Sequence, residues 1–202
     1  MRLAREDEFY RFLEKHNKVI MKPVRGGQGR GCFVMNRGEK LDCFAKYGQY
    51  IAEEFIRQTP AMAELNASSV NTVRVWTFKR KIIGTAVRMG NGGCVDNLHS
   101  KGVCGYLDEH TGIITNPCID NSLNQYIFHP GSRVKLVGFE IPNWSLLLDK
   151  IAAIADVIPE VAYVGWDIAI LDDDIDLIEG NFDPGHDLMQ MVIQNGCWHK
   201  IA

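Results

Sequence analysis

Two acidic side chains near the end of the sequence, Asp167 and Glu179, lie in runs rich in β-forming residues that flank three consecutive aspartates, 172–174. Turn-prone residues between two such runs predict an antiparallel hairpin. If the three aspartates form the loop, Leu171 pairs with Ile175 and Asp167 lies directly opposite Glu179, on the same face of the sheet. A two-residue turn would instead shift the register by one residue and place the two carboxylates on opposite faces. The loop length therefore decides whether these side chains can act together.

Carboxylates that face each other across a strand pair normally destabilise a sheet. A divalent cation held between them reverses the sign of that interaction, and oxygen ligands of this kind suit Mg²⁺. Side chains alternate along a strand, so Asn181 shares the face of Glu179 and adds a third oxygen. The pattern predicts a Mg²⁺ site formed by Asp167, Glu179 and Asn181. It also predicts that, without metal, neutralising either carboxylate relieves repulsion and leaves stability unchanged or increased.

A second candidate feature is the run at residues 25–31, which contains four glycines and must be a loop. Backbone N–H groups of such a loop can approach a phosphate closely, and Lys22, three residues before the loop, could bridge phosphate oxygens. The run lacks the Gly-Lys-Ser/Thr ending of a Walker motif, and a strand follows it instead of a helix. A plain hairpin loop explains the same glycines equally well.

Four further charged residues belong to predicted strands. Arg74 and Arg88 lie on adjacent strands and could converge on a phosphate or a carboxylate. Two exposed, salt-bridging arginines are an equally good interpretation. Glu53 and Glu54 could accept hydrogen bonds from an adenine amine or a ribose hydroxyl, but adjacent strand positions more often give one buried and one solvated carboxylate. The histidines and cysteines show no metal-ligand spacing and no nucleophile arrangement.

The composition excludes several classes of function. With 202 residues, of which 46% are hydrophobic, the chain can bury a core as one large domain or two small ones. A net charge of −3 gives no indication of general nucleic-acid or anionic-membrane binding. No apolar run approaches the roughly 20 residues that span a bilayer, and residues 1–8 lack the apolar core of a signal peptide. The six scattered cysteines fit thiols in a reducing compartment, so we expect a cytoplasmic protein.

Hydrophobic periodicity predicts an α+β fold in which strands dominate. Residues 6–15 and 145–158 have the spacing of amphipathic helices, and Pro159 is expected to end the second. The predicted strands are residues 19–22, 32–35, 50–56, 72–78, 82–89, 161–171 and 175–178. A division near Pro60 separates a smaller α+β unit, residues 1–60, from a larger one, residues 61–202.

The order of these motifs resembles the ATP-grasp superfamily. The resemblance is carried by Lys22 and Pro23 before the glycine loop, by the run 52–56 with its two glutamates, by Asp167, and by the ending Glu179, Gly180, Asn181, Phe182, Asp183, Pro184 and Gly185. Residues 69–75, 95–97, 129–130 and 138–144 are similar to the sugar-transfer-associated branch of that superfamily. The similarity extends from about Val19 to Gly185, and the Glu-x-Asn-x-x-Pro-Gly ending is its most specific part.

The resemblance implies a nucleotide held between two α+β subdomains, with ATP and Mg²⁺ as cofactors. Lys22 would contact the α- and β-phosphates under a mobile lid that contains Gly27, Gln28 and Gly29. The adenine would lie against a hinge strand, partly through backbone groups, made of Glu53, Glu54, Phe55 and Ile56.

The resemblance also implies roles for the acidic hairpin and the two arginines. Asp167, Glu179 and Asn181 would hold Mg²⁺ on the β- and γ-phosphates. Arg74 and Arg88 would stabilise charge on the transferring γ-phosphoryl group and on an acyl phosphate, because phosphoryl transfer depends on positioning and charge neutralisation.

Two features depart from the family pattern. Many members carry an arginine two residues before the first metal-binding aspartate, and this chain has Gly165 there, which leaves open whether Arg74 and Arg88 perform its task. ATP-grasp enzymes usually carry a further N-terminal domain that helps to bind substrate, and this chain begins almost at the Lys22 strand. We therefore expect a fragment, a naturally short version, or a module completed by a partner domain or in a homo-oligomer.

The resemblance favours an ATP-dependent carboxylate–amine ligase. A carboxylate attacks the γ-phosphate to give an acyl phosphate and ADP, and an amine then displaces phosphate. The substrates would be a small-molecule carboxylate and an amine, and the sugar-transfer branch points to sugar-derived compounds in cell-surface polysaccharide biosynthesis. Two alternatives stay open: a non-catalytic Mg-ATP-binding module, which would not turn over, and a phosphotransferase, which would release a stable phosphorylated product.

Overall fold

A computed structural model of the chain describes residues 5–25, 29–98 and 101–200, without the side chain of Trp198. The chain divides into two compact units, Met1–Arg57 and Gln58–Ala202. Each unit combines helices with an antiparallel sheet, which confirms the predicted α+β class. None of the helices within the described ranges is long and apolar enough to cross a membrane.

The smaller unit is a three-stranded sheet in the order β2-β1-β3. Its elements are helix α1 (Glu6–His16), strands β1 (Lys18–Pro23), β2 (Phe33–Asn36) and β3 (Tyr50–Glu54), and a short 3₁₀ helix (Phe44–Tyr47). The acidic first turn and basic last turn of α1 match the helix dipole. Phe9 and Leu13 of α1 are buried in one core with Val19 and Met21 of β1, so α1 covers one face of this sheet.

The larger unit is a seven-stranded antiparallel sheet in the order β10-β9-β4-β5-β6-β7-β8. Its strands are β4 (Thr72–Phe78), β5 (Lys81–Met89), β6 (Val103–Tyr106), β7 (Cys118–Ile119), β8 (Gln125–Tyr126), β9 (Tyr163–Ile170) and β10 (Ile175–Asn181). Its helices are α2 (Pro60–Leu65), α3 (Trp144–Ala155), α4 (Asp187–Ile193) and a 3₁₀ helix (Trp198–Lys200). Strands β4 and β9 lie side by side inside the sheet and are almost wholly buried.

Successive residues of β4 enter two different cores. Val73 and Val75 belong to the larger core, to which α3 contributes Leu147. Trp76 belongs to a smaller core that includes residues of α4. Arg74 shares the face of Trp76 by alternation, and its guanidinium lies 5.8 Å from the centre of the Trp76 ring. A charged side chain is thus placed at the border of an apolar core.

The turn of the acidic hairpin is longer than predicted. Ile175 pairs with Ile170, so the predicted pairing of Leu171 with Ile175 is wrong and the turn comprises residues 171–174. Asn143, immediately before α3, donates hydrogen bonds from its side-chain amide to two carbonyl groups of this turn, at 2.8 and 3.0 Å. The turn is therefore fixed by a residue distant in the sequence.

A β-bulge between Leu177 and Glu179 restores the predicted register farther along the hairpin. A bulge adds one residue to its strand, so that Glu179 lies opposite Asp167 and Asn181 lies opposite Gly165. The two carboxylates face each other as predicted, although the turn and the strand that bring them together both differ from the prediction.

Helix α3 ends at Ala155, three residues before the predicted end at residue 158. Proline lacks an N–H group, its ring clashes with the carbonyl four residues earlier, and it disfavours the helical conformation in the residue before it. Pro159 therefore ends the helix about one turn before its own position in the sequence. Val157 is 73% exposed and Ile158 39%, so the apolar face of the helix stops at Ala155.

His129, in the loop after β8, is a fully buried histidine. Its Nδ1 accepts hydrogen bonds from the backbone N–H groups of Gly131 at 3.2 Å and Ser132 at 3.1 Å, and its Nε2 lies 3.0 Å from the carbonyl oxygen of Gly90. These partners require a neutral imidazole with its proton on Nε2. Burial lowers the pKa of His129, although the hydrogen bond to Gly90 opposes that effect.

We expect the free energy of unfolding to fall as the pH drops below about 6.5, the ordinary histidine pKa. The folded-state pKa of His129 is depressed, so the unfolded chain binds a proton that the folded protein excludes. This stability is present above the unfolded pKa and is lost as the pH falls toward the folded one. Urea unfolding between about pH 7.5 and 5.5 measures the change.

His129→Asn keeps an acceptor and a donor in the same region and should remove most of this pH dependence. His110→Asn, at an exposed position, should retain it. Equal pH dependence in the wild type and His129→Asn would show that another group is responsible.

Candidate active site

The carboxylate of Asp167 is enclosed by two arginines. Arg74 donates from Nε to Oδ1 at 2.5 Å and from Nη2 to Oδ2 at 2.7 Å, which makes a bidentate pair. Arg88 donates from Nη1 to Oδ2 at 2.8 Å. The side chain of Asp167 is 4% exposed, and those of the arginines are 9% and 10% exposed. The arginines converge on a carboxylate, as the sequence allowed, but that carboxylate belongs to the protein itself.

Strand pairing explains why these three side chains meet. Arg74 of β4 lies directly opposite Asp167 of β9. Thr72, two residues before Arg74, lies directly opposite Arg88 of β5. Residues opposite each other share a face of the sheet, and so do residues two apart along one strand. The register of three adjacent strands thus brings both arginines to Asp167.

A second carboxylate, that of Asp96, contacts the other side of Arg88. Its Oδ1 lies 3.4 Å from Arg88 Nη2, and the Thr72 hydroxyl donates a hydrogen bond to its Oδ2. Two arginines and two aspartates make this cluster formally neutral. Asp96 and Thr72 have no role predicted from the sequence, although both lie in motifs that carry the family resemblance, residues 95–97 and 69–75, and those motifs were the available signal.

The burial of the cluster and the charges within it shift the pKa values of its own residues. Burial raises the pKa of Asp167, but the hydrogen bond from Arg74 and the charges of Arg88 and Arg74 outweigh it and hold the pKa below its ordinary value. Burial lowers the pKa of Arg88, but Asp96 and Asp167 outweigh it and raise the pKa. At Asp96 burial wins over the charge of Arg88, and the pKa is raised. Asp167 is therefore the firmly ionised carboxylate of the pair.

Gly165 leaves the space that Arg74 occupies. A Cβ atom at position 165 would lie 2.4 Å from the Cβ of Pro184 and 3.3 Å from both Cδ and Nη1 of Arg74. Nη1 of Arg74 also donates to the carbonyl of Pro184 at 3.4 Å. No side chain fits at position 165 while Arg74 and Pro184 keep these positions. The glycine that departs from the family pattern is thus needed for the close approach of Pro184, and it also leaves room for Arg74.

Glu179 and Asn181 lie beside Asp167 on the edge strand β10. Nδ2 of Asn181 donates to Oε1 of Glu179 at 3.1 Å, and strand pairing places Glu179 directly opposite Asp167. Glu179 is exposed and Asn181 partly exposed. Carboxylate and amide oxygens suit Mg²⁺, so this donor set fits the predicted metal. No group of three or more His, Cys, Asp and Glu side chains in the described ranges is placed to hold a metal; the predicted set has two carboxylates and an amide.

In the smaller unit, Lys22 and Glu53 form an ion pair on the sheet face opposite α1. Nζ of Lys22 lies 2.5 Å from Oε2 of Glu53, and the side chains are 30% and 43% exposed. Ile20 and Ile51 share this face by strand register and are partly exposed. A charged pair beside partly exposed apolar side chains suits a ligand that has both an anionic and an apolar part.

Two of the predicted hinge residues contact groups at the edge of the smaller sheet. Oε2 of Glu54 lies 2.9 Å from Nδ1 of His16 at the end of α1, on the face opposite Glu53. The Nζ of Lys18 lies 3.6 Å from the centre of the Phe55 ring, and the backbone N–H of Phe55 donates to the Lys18 carbonyl at 3.1 Å. The structure thus brings Glu53, but not the carboxylate of Glu54, to Lys22.

The remaining predicted nucleotide contacts lie after β3 and in the glycine loop. Ile56 is partly buried and follows the end of β3, which is two residues shorter than predicted. Gly29 has a φ of +68°, a conformation that glycine adopts readily. Gly27 and Gln28 lie outside the described residues.

Residues 45–202 match the profile of a protein family described as sugar-transfer associated ATP-grasp. No protein with a curated description matches the sequence. Among solved structures, the chain is similar to ATP-grasp ligase PsnB complexed with minimal precursor, Mg and ADP, with a TM-score of 0.54 and 13% identity, over 95% of this chain and 46% of that one. PsnB with precursor peptide PsnA2 and AMPPNP gives a TM-score of 0.53 and 12% identity over 94% and 46%. D-alanine–D-alanine ligase from Bacillus anthracis gives 0.44 and 12% over 98% and 59%.

The likeness to PsnB confirms the predicted ATP-grasp fold. Identity at this level carries information about the fold alone. The chain spans less than half the length of the PsnB chain that it matches.

Asp167→Asn should lower the free energy of unfolding by about 3–5 kcal/mol, the usual effect of removing one partner from a buried ion pair. The substitution preserves the shape of the side chain but leaves two buried arginines without their shared carboxylate. This outcome reverses the expectation, drawn from the sequence, that neutralising Asp167 is harmless without metal. Glu179→Gln, the matched change at an exposed position, should stay within about 0.5 kcal/mol. Chemical unfolding in a chelating buffer measures both, and equal losses would contradict the distinction.

Proposed function

The chain belongs to the sugar-transfer-associated ATP-grasp family, and we propose that it acts in an ATP-dependent carboxylate–amine ligase that forms ADP and an acyl phosphate. The observation that carries this proposal is the convergence of Arg74 and Arg88 on Asp167, beside Glu179 and Asn181. Transfer of a phosphoryl group between anions depends on positive charge held in fixed positions. The larger unit supplies such charge on one face of its sheet.

In this proposal the smaller unit contributes the contacts to the nucleotide. The ammonium of Lys22 would bind phosphate oxygens as a point charge, and Glu53 would hold Lys22 in place through the ion pair described above. The partly exposed Ile20 and Ile51 would provide apolar surface for the base. The N–H groups of the glycine loop would add hydrogen bonds to the phosphates.

The larger unit would contribute the groups that act on the outer phosphate. Mg²⁺, when bound, would neutralise charge on the β- and γ-phosphates, and Asp167, Glu179 and Asn181 are the residues that would hold it. Arg74 and Arg88 would orient the γ-phosphoryl group and then the acyl phosphate. Related structures support the use of this cofactor pair, since PsnB is complexed with Mg and ADP.

The proposed substrates are a carboxylate and an amine. The family description points to sugar-derived compounds, and we place the reaction in the assembly of cell-surface polysaccharides. PsnB is complexed with precursor peptide PsnA2 in another structure, which makes carboxyl groups of peptides the second class of acceptor to test. Buried thiols such as Cys104 and Cys118 are compatible with a cytoplasmic location.

A second candidate is a module that binds Mg-ATP without turnover. It is favoured by one observation: both arginines of the site are already paired with carboxylates of the protein itself, those of Asp167 and Asp96. Both candidates bind Mg-ATP, but only the ligase forms ADP in a manner that depends on a carboxylate.

Lys22→Met should weaken ATP binding in the presence of Mg²⁺ about tenfold or more, because a charge-assisted contact contributes about 1.5–3 kcal/mol. The fold should persist, since Lys22 is partly exposed. Isothermal titration calorimetry measures the affinity, and circular dichroism checks the fold. Lys40→Met, which removes an exposed lysine of the same unit, is the matched control. ATP affinity equal to that of the wild type in Lys22→Met would remove this lysine from the site.

Turnover should produce ADP and phosphate, because lysine at the inner phosphates and arginines at the outer one expose the γ-phosphorus to the attacking carboxylate. An acyl phosphate reacts with hydroxylamine, so a hydroxamate should accumulate when the amine is omitted. The assay combines a panel of uronic acids and carboxyl-bearing peptides with ATP, Mg²⁺ and hydroxylamine, followed by chromatography. AMP and pyrophosphate would exclude this mechanism. ADP with a stable phosphorylated product would favour a phosphotransferase, and the absence of turnover would favour the non-catalytic module.

A further inference from the structure

The two oxygens of Asp167 already accept three N–H groups from arginines. Oδ1 accepts from Nε of Arg74, and Oδ2 accepts from Nη2 of Arg74 and Nη1 of Arg88. A carboxylate has about four lone-pair sites, so most of its acceptor capacity is used. Both donors carry a full positive charge at hydrogen-bond distance. A divalent cation at Asp167 would meet two like charges and an occupied ligand.

Each arginine has a second partner at the same place. Arg88 also contacts Asp96, whose carboxylate is fixed by the Thr72 hydroxyl. Arg74 also contacts the carbonyl of Pro184. Each guanidinium would therefore keep one of its present partners when it releases Asp167 to bind a new anion. The opposite partner, Glu179, has no arginine or lysine contact among the described ion pairs, so Asp167 is the member of the predicted metal set that arginine controls.

We propose that Arg74 and Arg88 keep Asp167 closed to divalent cations until a polyphosphate draws the two guanidinium groups away, so that metal and nucleotide bind this site in a coupled manner. The proposal rests on the function proposed above and adds regulation of the same site. The arginines would thus raise the affinity for the triphosphate and lower the affinity for a metal ion that binds without it. By thermodynamic linkage, if bound nucleotide raises the affinity for the metal by some factor, bound metal raises the affinity for the nucleotide by the same factor.

The decisive test measures the two ligands separately on Arg88→Gln. Mn²⁺ binding without nucleotide is followed by electron paramagnetic resonance of the free ion, and ATP binding in Mg²⁺ by calorimetry. Arg88→Gln should bind Mn²⁺ at least tenfold more tightly than the wild type and ATP at least tenfold more weakly. Adding Glu179→Gln to this variant should remove the gained Mn²⁺ affinity, which assigns the ion to this site. Arg133→Gln, at an exposed arginine of the same unit, should change neither affinity.

A merely structural role for Arg88 would weaken both ligands together and would overturn the proposal, as would unchanged Mn²⁺ affinity in Arg88→Gln. The wild type supplies a measurement that does not depend on the folding of a variant. Alone, it should show no saturation below about 1 mM Mn²⁺, the weak end of protein oxygen sites. Micromolar Mn²⁺ binding by the wild type without nucleotide, if Glu179→Gln abolishes it, would contradict the inference. A wild type that binds no Mg-ATP would instead refute the proposed function, while the Mn²⁺ comparison would still decide whether the arginines close Asp167 to the metal.

Discussion

A carboxylate buried inside a sheet has to be compensated by positive charge, and Asp167 imposes this requirement on the larger unit. Arg74 on β4 and Arg88 on β5 satisfy it, which joins three neighbouring strands through one carboxylate. Gly165, which has no side chain, allows the close approach of Pro184 and leaves room beside Arg74. The composition of this face therefore follows from electrostatic compensation as much as from apolar packing.

The predicted metal ligands lie on strands that are held in the sheet by different numbers of neighbouring strands. Asp167 lies on β9, which has a partner on each side, whereas Glu179 and Asn181 lie on the edge strand β10. An edge strand has one partner and opens at a lower free energy than the interior of a sheet. One side of the proposed metal site is thus held firmly, and the other can adjust to a ligand at little cost.

Strong periodicity and turn chemistry were enough to predict much of the fold. The strand at residues 72–78 was predicted to the residue, and the helix at the N-terminus to within one. The facing of Asp167 and Glu179 was also predicted, but through a turn of the wrong length that a bulge corrects. Neither the bulge nor the amide of Asn143 that fixes the turn has a local signal in the sequence. Asp96 lies in one of the motifs that carry the family resemblance, but its pairing with Arg88 depends on how the strands align and could not be predicted from that motif.

The neutral cluster of two arginines and two aspartates has a consequence for how descendants of this chain diverge. These four residues satisfy one another, so selection for a stable fold alone would retain them after activity had disappeared. Their presence in a relative is therefore poor evidence of an active enzyme. Lys22 and Glu179 are partly or largely exposed, and the fold depends on them little. In a lineage that has kept the fold but lost the activity, we therefore expect substitutions at these two positions before substitutions in the cluster.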